Sequence, residues 1–181
     1  MILMQQPSVV FHAHDVDADY KMLYTINLHE GATANYVAAR ITELHQRTPL
    51  KNIIFNAHGH GAKVSIAGKG LPGLEPSSVG AFGVLKSLNI GTIWLTSCSP
   101  AMGTDGKTFC QSLADTAGTQ VIGSDWLQEI GLVDGFRLAS PTFVDGQIDE
   151  FEGAVYSFTP TGKMRPIVDP NTSPFIWTIK T

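Results

Sequence analysis

The sequence predicts an α/β protein, a three-layer α/β/α sandwich around a mostly parallel central sheet. Three observations carry that expectation. From the N-terminus to about Gly123, short apolar runs alternate with segments of helical periodicity, the pattern of a parallel sheet with helices on both faces. The runs Ile53-Ile54-Phe55 and Ile93-Trp94-Leu95 are apolar without alternation, as in strands buried on both sides. The 181 residues carry no internal repeat and no Gly/Ser-rich linker, which suits one domain over 1–181 with a sizeable core.

The elements follow in order. Val9 to Ala13 reads as a first strand after Pro7-Ser8, and Lys21 to Leu28 as a second, rich in aromatic and β-branched residues. Gly31-Ala32-Thr33 opens a helix in which Tyr36, Val37, Ile41 and Leu44 recur at helical spacing, and Thr48-Pro49 ends it. Asn52–Asn56 is a third strand. Lys63 to Ile66, with the Gly68-Lys69-Gly70 turn, suggests a small hairpin. Ser77-Ser78 opens a helix through Leu88, with Val79, Phe82, Leu85 and Leu88 every third position. Thr92–Thr96 is a fourth strand, Thr104–Ala117 a helix with Phe109, Leu113 and Ala117 on one face, and Thr119–Gly123 a fifth strand.

After Asp125 the pattern changes. Asp145-Gly146 marks a turn, Glu152–Thr159 alternates like a strand, and Pro160-Thr161-Gly162-Lys163 is another turn. The stretch from Pro166 reads as loop, with one edge strand around Phe175 to Ile179.

Composition narrows the function. The chain is 43% hydrophobic and 15% charged, with a net charge of −4 and no Lys/Arg cluster, which argues against nucleic acid as partner. The apolar runs fall far short of the about 20 residues that span a bilayer, and the first residues lack a basic segment followed by a long apolar one, so neither a membrane span nor a signal peptide is expected. Two cysteines without framework spacing fit a reducing compartment, so a cytoplasmic enzyme or a domain delivered as part of a secreted effector is expected.

Two strand ends carry the chemistry. Asn52-Ile53-Ile54-Phe55-Asn56-Ala57-His58-Gly59 delivers a histidine followed by glycine, and Thr92-Ile93-Trp94-Leu95-Thr96-Ser97-Cys98 delivers a cysteine. On neighbouring parallel strands, His58 and Cys98 emerge at one sheet edge, where open α/β sheets gather their ligands. A base beside a thiol is the minimum for cysteine nucleophilic catalysis. Gly59 lets a carbonyl approach the main chain, and the Gly59 and Cys98 amides are candidates for an oxyanion hole.

The segment from Asn52 to Trp126 resembles a clan CD cysteine peptidase, the caspase-like fold shared by caspases, metacaspases, gingipains, separase and bacterial CHAT domains. In that clan one strand ends in His-Gly and the next core strand ends in a small residue followed by the nucleophilic cysteine. The resemblance implies a cysteine endopeptidase of protein or peptide substrates that needs no cofactor, with Cys98 as nucleophile and His58 as general base and acid. It also places Asp15, Thr96, Asp125 and Trp126 at the substrate pocket, which implies cleavage after Lys/Arg or a neutral residue. The clan often has alanine where this chain has Ser97, and the segment after about Asp134 has no counterpart.

Other readings stay open. The pairs His12/His14 and His58/His60 have the His-x-His spacing of metal ligands, so a metal-dependent hydrolase is an alternative. A non-catalytic caspase-like binding module is another, although the chain keeps both His58 and Cys98. A Cys-His pair also serves deamidation and transpeptidation, which share the thioester. Cys110, inside a helix, reads as a packed core thiol.

Overall fold

The computed structural model of the chain describes residues 2–16, 20–128, 132–133, 136–137 and 144–168. Its centre is a seven-stranded sheet. The strands are β1 (Ser8–His12), β2 (Tyr24–Asn27), β3 (Asn52–Asn56), β4 (Thr92–Leu95), β5 (Gln120–Ser124), β6 (Val155–Thr159) and β7 (Lys163–Val168), in the order β7-β6-β5-β4-β3-β1-β2. The pairs among β1 to β5 are parallel; β6 runs antiparallel to β5, and β7 to β6.

Helix α1 (Ala34–Arg47) is capped by the Thr33 hydroxyl, which accepts from the Tyr36 amide at 3.2 Å. It buries Val37, Ala38, Ile41 and Leu44, while Tyr36 is half-exposed. Val79–Ser87 is a 3-10 helix. Its buried residues Val79, Phe82 and Leu85 recur every third position, which eclipses them on one face at three residues per turn. An α-helix would spread the same residues around the axis. Helix α2 (Gly103–Ala117) ends at Gly118, whose left-handed φ of 64° closes the last turn.

The three helical segments lie together, the 3-10 helix between α1 and α2. They cover one face of the sheet, where Val9, Phe11, Ile53, Phe55, Ile93, Leu95 and Val121 meet Ile41, Phe82 and Phe109. The expected helices on both faces are not found among the described residues. The connections β2→β3, β3→β4 and β4→β5 all advance the same way across the sheet, so right-handed crossovers put all three on one side. Only β1→β2 runs the other way, and its described residues form no helix. The opposite face, with Val10, Ile54, Trp94, Ile122 and Val155, is covered instead by Ile2, Met4, Tyr20, Met22, Ile148 and Phe151. A two-residue ladder joins Ile2–Leu3 to Gln147–Ile148, and the Asp145-Gly146 turn is stitched to both neighbours, the Met4 amide donating to the Gly146 carbonyl and the Gly146 amide to that of Lys21.

The described residues thus form an α/β fold with a large, mostly parallel sheet. Strand β7 falls where the sequence suggested loop: Pro166 lies within it, which an edge strand tolerates because one row of its amides needs no partner. The expected strand around Phe175 to Ile179 lies outside the described residues. No helix among the described residues is long and apolar enough to cross a membrane.

Candidate active site

Register brings the two strand ends level. Asn52 pairs with Thr92 and Phe55 with Leu95, so the strands that lead to His58 and to Cys98 end side by side. Bonds to the Phe55 carbonyl from the Thr96 amide at 3.1 Å and the Thr96 hydroxyl at 3.0 Å carry the pairing past β4. The chain order reverses between β1 and β3, so His58 also stands at the topological switch point, beside Asp15 after β1.

His58 and Gly59 leave β3 as one arm of a hairpin with Val64 and Ser65. Its turn takes positive φ at Gly61 (24°) and Ala62 (59°) and is closed by the His60 amide on the Lys63 carbonyl at 3.2 Å. In an antiparallel ladder bonded pairs alternate, so with His60 and Lys63 bonded, the Gly59–Val64 pair is a non-bonded one and the Gly59 N–H points away from the hairpin. The Gly59 backbone itself packs against the cysteine turn: a side chain at Gly59 would stand 2.5 Å from the Cys98 carbonyl oxygen and 2.8 Å from the Ser97 Cβ. The Cys98 amide makes no hydrogen bond among the described residues.

The cysteine sits on a tight strand-to-helix turn. Ser99, buried and next in the chain, takes a φ of 52°, a conformation few residues other than glycine adopt. Three main-chain bonds hold it: the Ser99 amide to the Trp126 carbonyl at 2.8 Å, the Ala101 amide to the Ser124 carbonyl at 3.0 Å, and the Met102 amide to the Ser99 carbonyl at 3.1 Å. Ser97, 1% exposed, carries the single buried side-chain polar atom among the described residues that has no hydrogen-bond partner.

The ring of His58 is held from the other side. Its Nε2 lies 3.2 Å from the Asp15 carbonyl oxygen and 3.6 Å from Asp15 Oδ2. A carbonyl only accepts, so Nε2 carries the hydrogen and Nδ1 is the nitrogen left to take a proton. Asp15 Oδ2 in turn accepts from the Lys69 amide at 2.8 Å. Burial raises the Asp15 carboxyl, but the Lys69 amide and the nearby His58 charge outweigh it and hold Asp15 below its ordinary range.

His58 and Cys98 make no direct hydrogen bond among the described residues. The Cys98 sulfur is engaged by the Gln128 main chain: the Gln128 amide donates to Sγ at 3.4 Å, and the thiol donates to the Gln128 carbonyl at 3.6 Å. Gln128 was not legible as a site residue; it follows Trp126 in a segment with no periodicity or motif. Lys69 was missed for a similar reason, since it acts through its amide and any residue type would serve.

The other expected positions are largely committed. The Thr96 hydroxyl is spent on the Phe55 carbonyl. Asp125 ties β5 to β6, its Oδ1 accepting from the Ala154 amide at 3.1 Å and its Oδ2 from the Tyr156 hydroxyl at 3.2 Å. Trp126, in contrast, is 63% exposed, as is much of neighbouring Leu127, and the half-exposed Met102 lies against Gly61. Of the paired histidines, His12 is buried with both ring nitrogens bonded, Nε2 donating to the Tyr20 carbonyl at 2.9 Å and Nδ1 accepting from the Asn56 amide group at 2.8 Å. His14 faces Glu30, and His60 is exposed on the hairpin turn. No three His, Cys, Asp or Glu residues among those described are grouped to hold a metal ion. Cys110 is buried, its thiol donating to the Pro100 carbonyl, and burial pushes its pKa up.

Compared with known proteins, the chain matches no family model, no curated protein and no solved structure.

Proposed function

We propose that this protein is a cysteine endopeptidase with a caspase-like arrangement of its site, in which Cys98 attacks the scissile carbonyl and His58 manages the proton. The observation that carries the reading is the close approach of the Gly59 backbone, next to His58, to Cys98 where the two adjacent parallel strands end. The same juxtaposition of a His-Gly strand and a Ser-Cys strand supports the clan CD resemblance, and a caspase-like strand arrangement belongs to this proposal, although the described helices cover one face of the sheet.

In the proposed reaction the thiol hydrogen swings about the Cβ–Sγ bond from Gln128 to His58 Nδ1, as substrate binding closes the gap between ring and sulfur. The sulfur adds to the carbonyl carbon. The Gly59 and Cys98 amides receive the developing oxyanion, which is where preorganised donors contribute most. His58 then protonates the leaving amine, and water hydrolyses the thioester with His58 as base. Asp15 holds the Nε2–H of the ring throughout, so that Nδ1 is the nitrogen that gains and loses the proton. No cofactor enters these steps, and the substrate is a protein or peptide in extended form.

The cleaved position takes a neutral side chain rather than Lys or Arg. Asp15 and Asp125 already accept bonds from within the protein, whereas Trp126 offers exposed apolar surface. A fluorogenic peptide library tests both parts. Cleavage after neutral residues, lost in Cys98→Ala, is the expected result. A basic preference removes the specificity assignment, and turnover that survives Cys98→Ala removes the peptidase reading.

A further inference from the structure

The residue at the sulfur, Gln128, is anchored far more firmly than a loop position needs. Its side-chain Nε2 shares its two hydrogens among three acceptors, Ser124 Oγ at 2.7 Å, the Glu152 carbonyl at 3.1 Å and the Trp126 carbonyl at 3.2 Å. Its Oε1 accepts from the Glu152 amide at 3.0 Å. All four contacts of the side chain are thus to β5, the segment leaving it, and the segment entering β6. Their common effect is to fix the main chain of the same residue, whose N–H meets the Cys98 sulfur at 3.4 Å. The turn that carries Cys98 is tied to the same segment through Ser99 and Trp126. Sulfur and donor are therefore built on one rigid unit.

We propose that Gln128 is a positioning residue for the nucleophile: its side-chain clamp presents a main-chain N–H to the Cys98 sulfur, a donor that strengthens as the sulfur gains negative charge. A hydrogen bond to an ionised acceptor is roughly twice as strong as one to a neutral acceptor, so this contact favours the attacking form over the resting thiol. The Gln128 carbonyl, 3.6 Å from Sγ, receives the thiol hydrogen only until that hydrogen turns to His58. The sequence gives no hint of this, because the acting group is a backbone amide and the side chain serves only to hold it.

The inference rests on the proposed role of Cys98, but its test reads the thiol rather than peptide cleavage. Full-length wild type, Gln128→Ala, Gln128→Met and Gln128→Glu are alkylated with iodoacetamide at fixed neutral pH, and modification of Cys98 is timed by mass spectrometry, with circular dichroism confirming the fold. Gln128→Met keeps the bulk and loses every polar contact; Gln128→Glu keeps the acceptor for the Glu152 amide. The alanine and methionine variants are expected to label about tenfold more slowly, the loss of one hydrogen bond to a charged group, with the glutamate variant in between. Wild-type labelling in Gln128→Met overturns the proposal, because bulk alone would then suffice. Faster labelling overturns it too, because residue 128 would then shield the sulfur. Should these variants fail to fold, Ser124→Ala removes the shortest anchor and must slow Cys98 labelling; an unchanged rate is then the contrary result. Gln128-dependent labelling in a protein that cleaves no peptide keeps this inference and rejects the peptidase reading.

Discussion

Gly59→Ala perturbs the site at its narrowest point. A β-carbon built there lies 2.5 Å from the Cys98 carbonyl oxygen, 2.8 Å from the Ser97 Cβ and 3.0 Å from the Ser97 Oγ, whereas ordinary contact begins at 3.4 Å. The two strand ends must therefore part by about 0.9 Å, the gap between 3.4 Å and the observed 2.5 Å. The two nearest of the opposing atoms, the Cys98 carbonyl oxygen and the Ser97 Cβ, cannot rotate aside. One is main chain in a turn held by Ser99 and Thr96, and Ser97 is buried. Overpacking of this kind costs about 1–3 kcal/mol, and each kcal/mol lowers Tm by about 2–4 °C in a chain of this size. A displacement near 1 Å between catalytic groups costs about a hundredfold in rate. Thermal melts and Cys98 alkylation are the assays, with Gly80→Ala as control, since no atom lies within 4 Å of a β-carbon there. Gly59→Ala with wild-type melting and wild-type labelling would refute the reasoning that these backbones are in contact.

Further outcomes follow from the same geometry. Asp15 titrates below its ordinary carboxyl value of 3.8, so its contribution is complete above that value and is lost as pH falls through the lower, folded one. Asp15→Asn should lower Tm at neutral pH and flatten the loss of stability below about pH 4, which a melting series in pH reads directly. Ser97→Ala removes a buried hydroxyl without a partner and is expected to leave Tm unchanged or raise it; a clear fall would reveal a hydrogen bond that Ser97 needs. Asp125→Ala leaves the Ala154 amide and Tyr156 hydroxyl without their acceptor, at about 1–3 kcal/mol, and should depress Tm while leaving the residue preference in a peptide library unchanged.

Much of the sheet was legible because buried parallel strands announce themselves: Ile53-Ile54-Phe55 and Ile93-Trp94-Leu95 lie where their apolar runs indicated, side by side. The three-residue recurrence of Val79, Phe82 and Leu85 was visible too, and a strict period of three is the signature of the 3-10 helix that forms. What the sequence could not carry was the side of the sheet each connection takes. That depends on strand order, and no local pattern records that β2 lies outside β1. Strand β7 was hidden by Pro166, whose cost vanishes at a sheet edge. At the candidate site, the approach of Gly59 to Cys98 was legible from a His-Gly and a Ser-Cys placed just after neighbouring strands. The environment of Cys98 was not, because the Gln128 and Lys69 contacts are made by backbone amides that leave no mark on residue choice.

The central claim is that Cys98 is a nucleophile activated by His58, and its most direct test is the rate of Cys98 alkylation by iodoacetamide in wild type against His58→Ala. Cys110 serves as internal reference, being buried with its pKa pushed up. Rapid modification of Cys98 that outpaces Cys110 and slows sharply in His58→Ala is the predicted result. Slow labelling of both cysteines at the same rate, indifferent to His58, would contradict it.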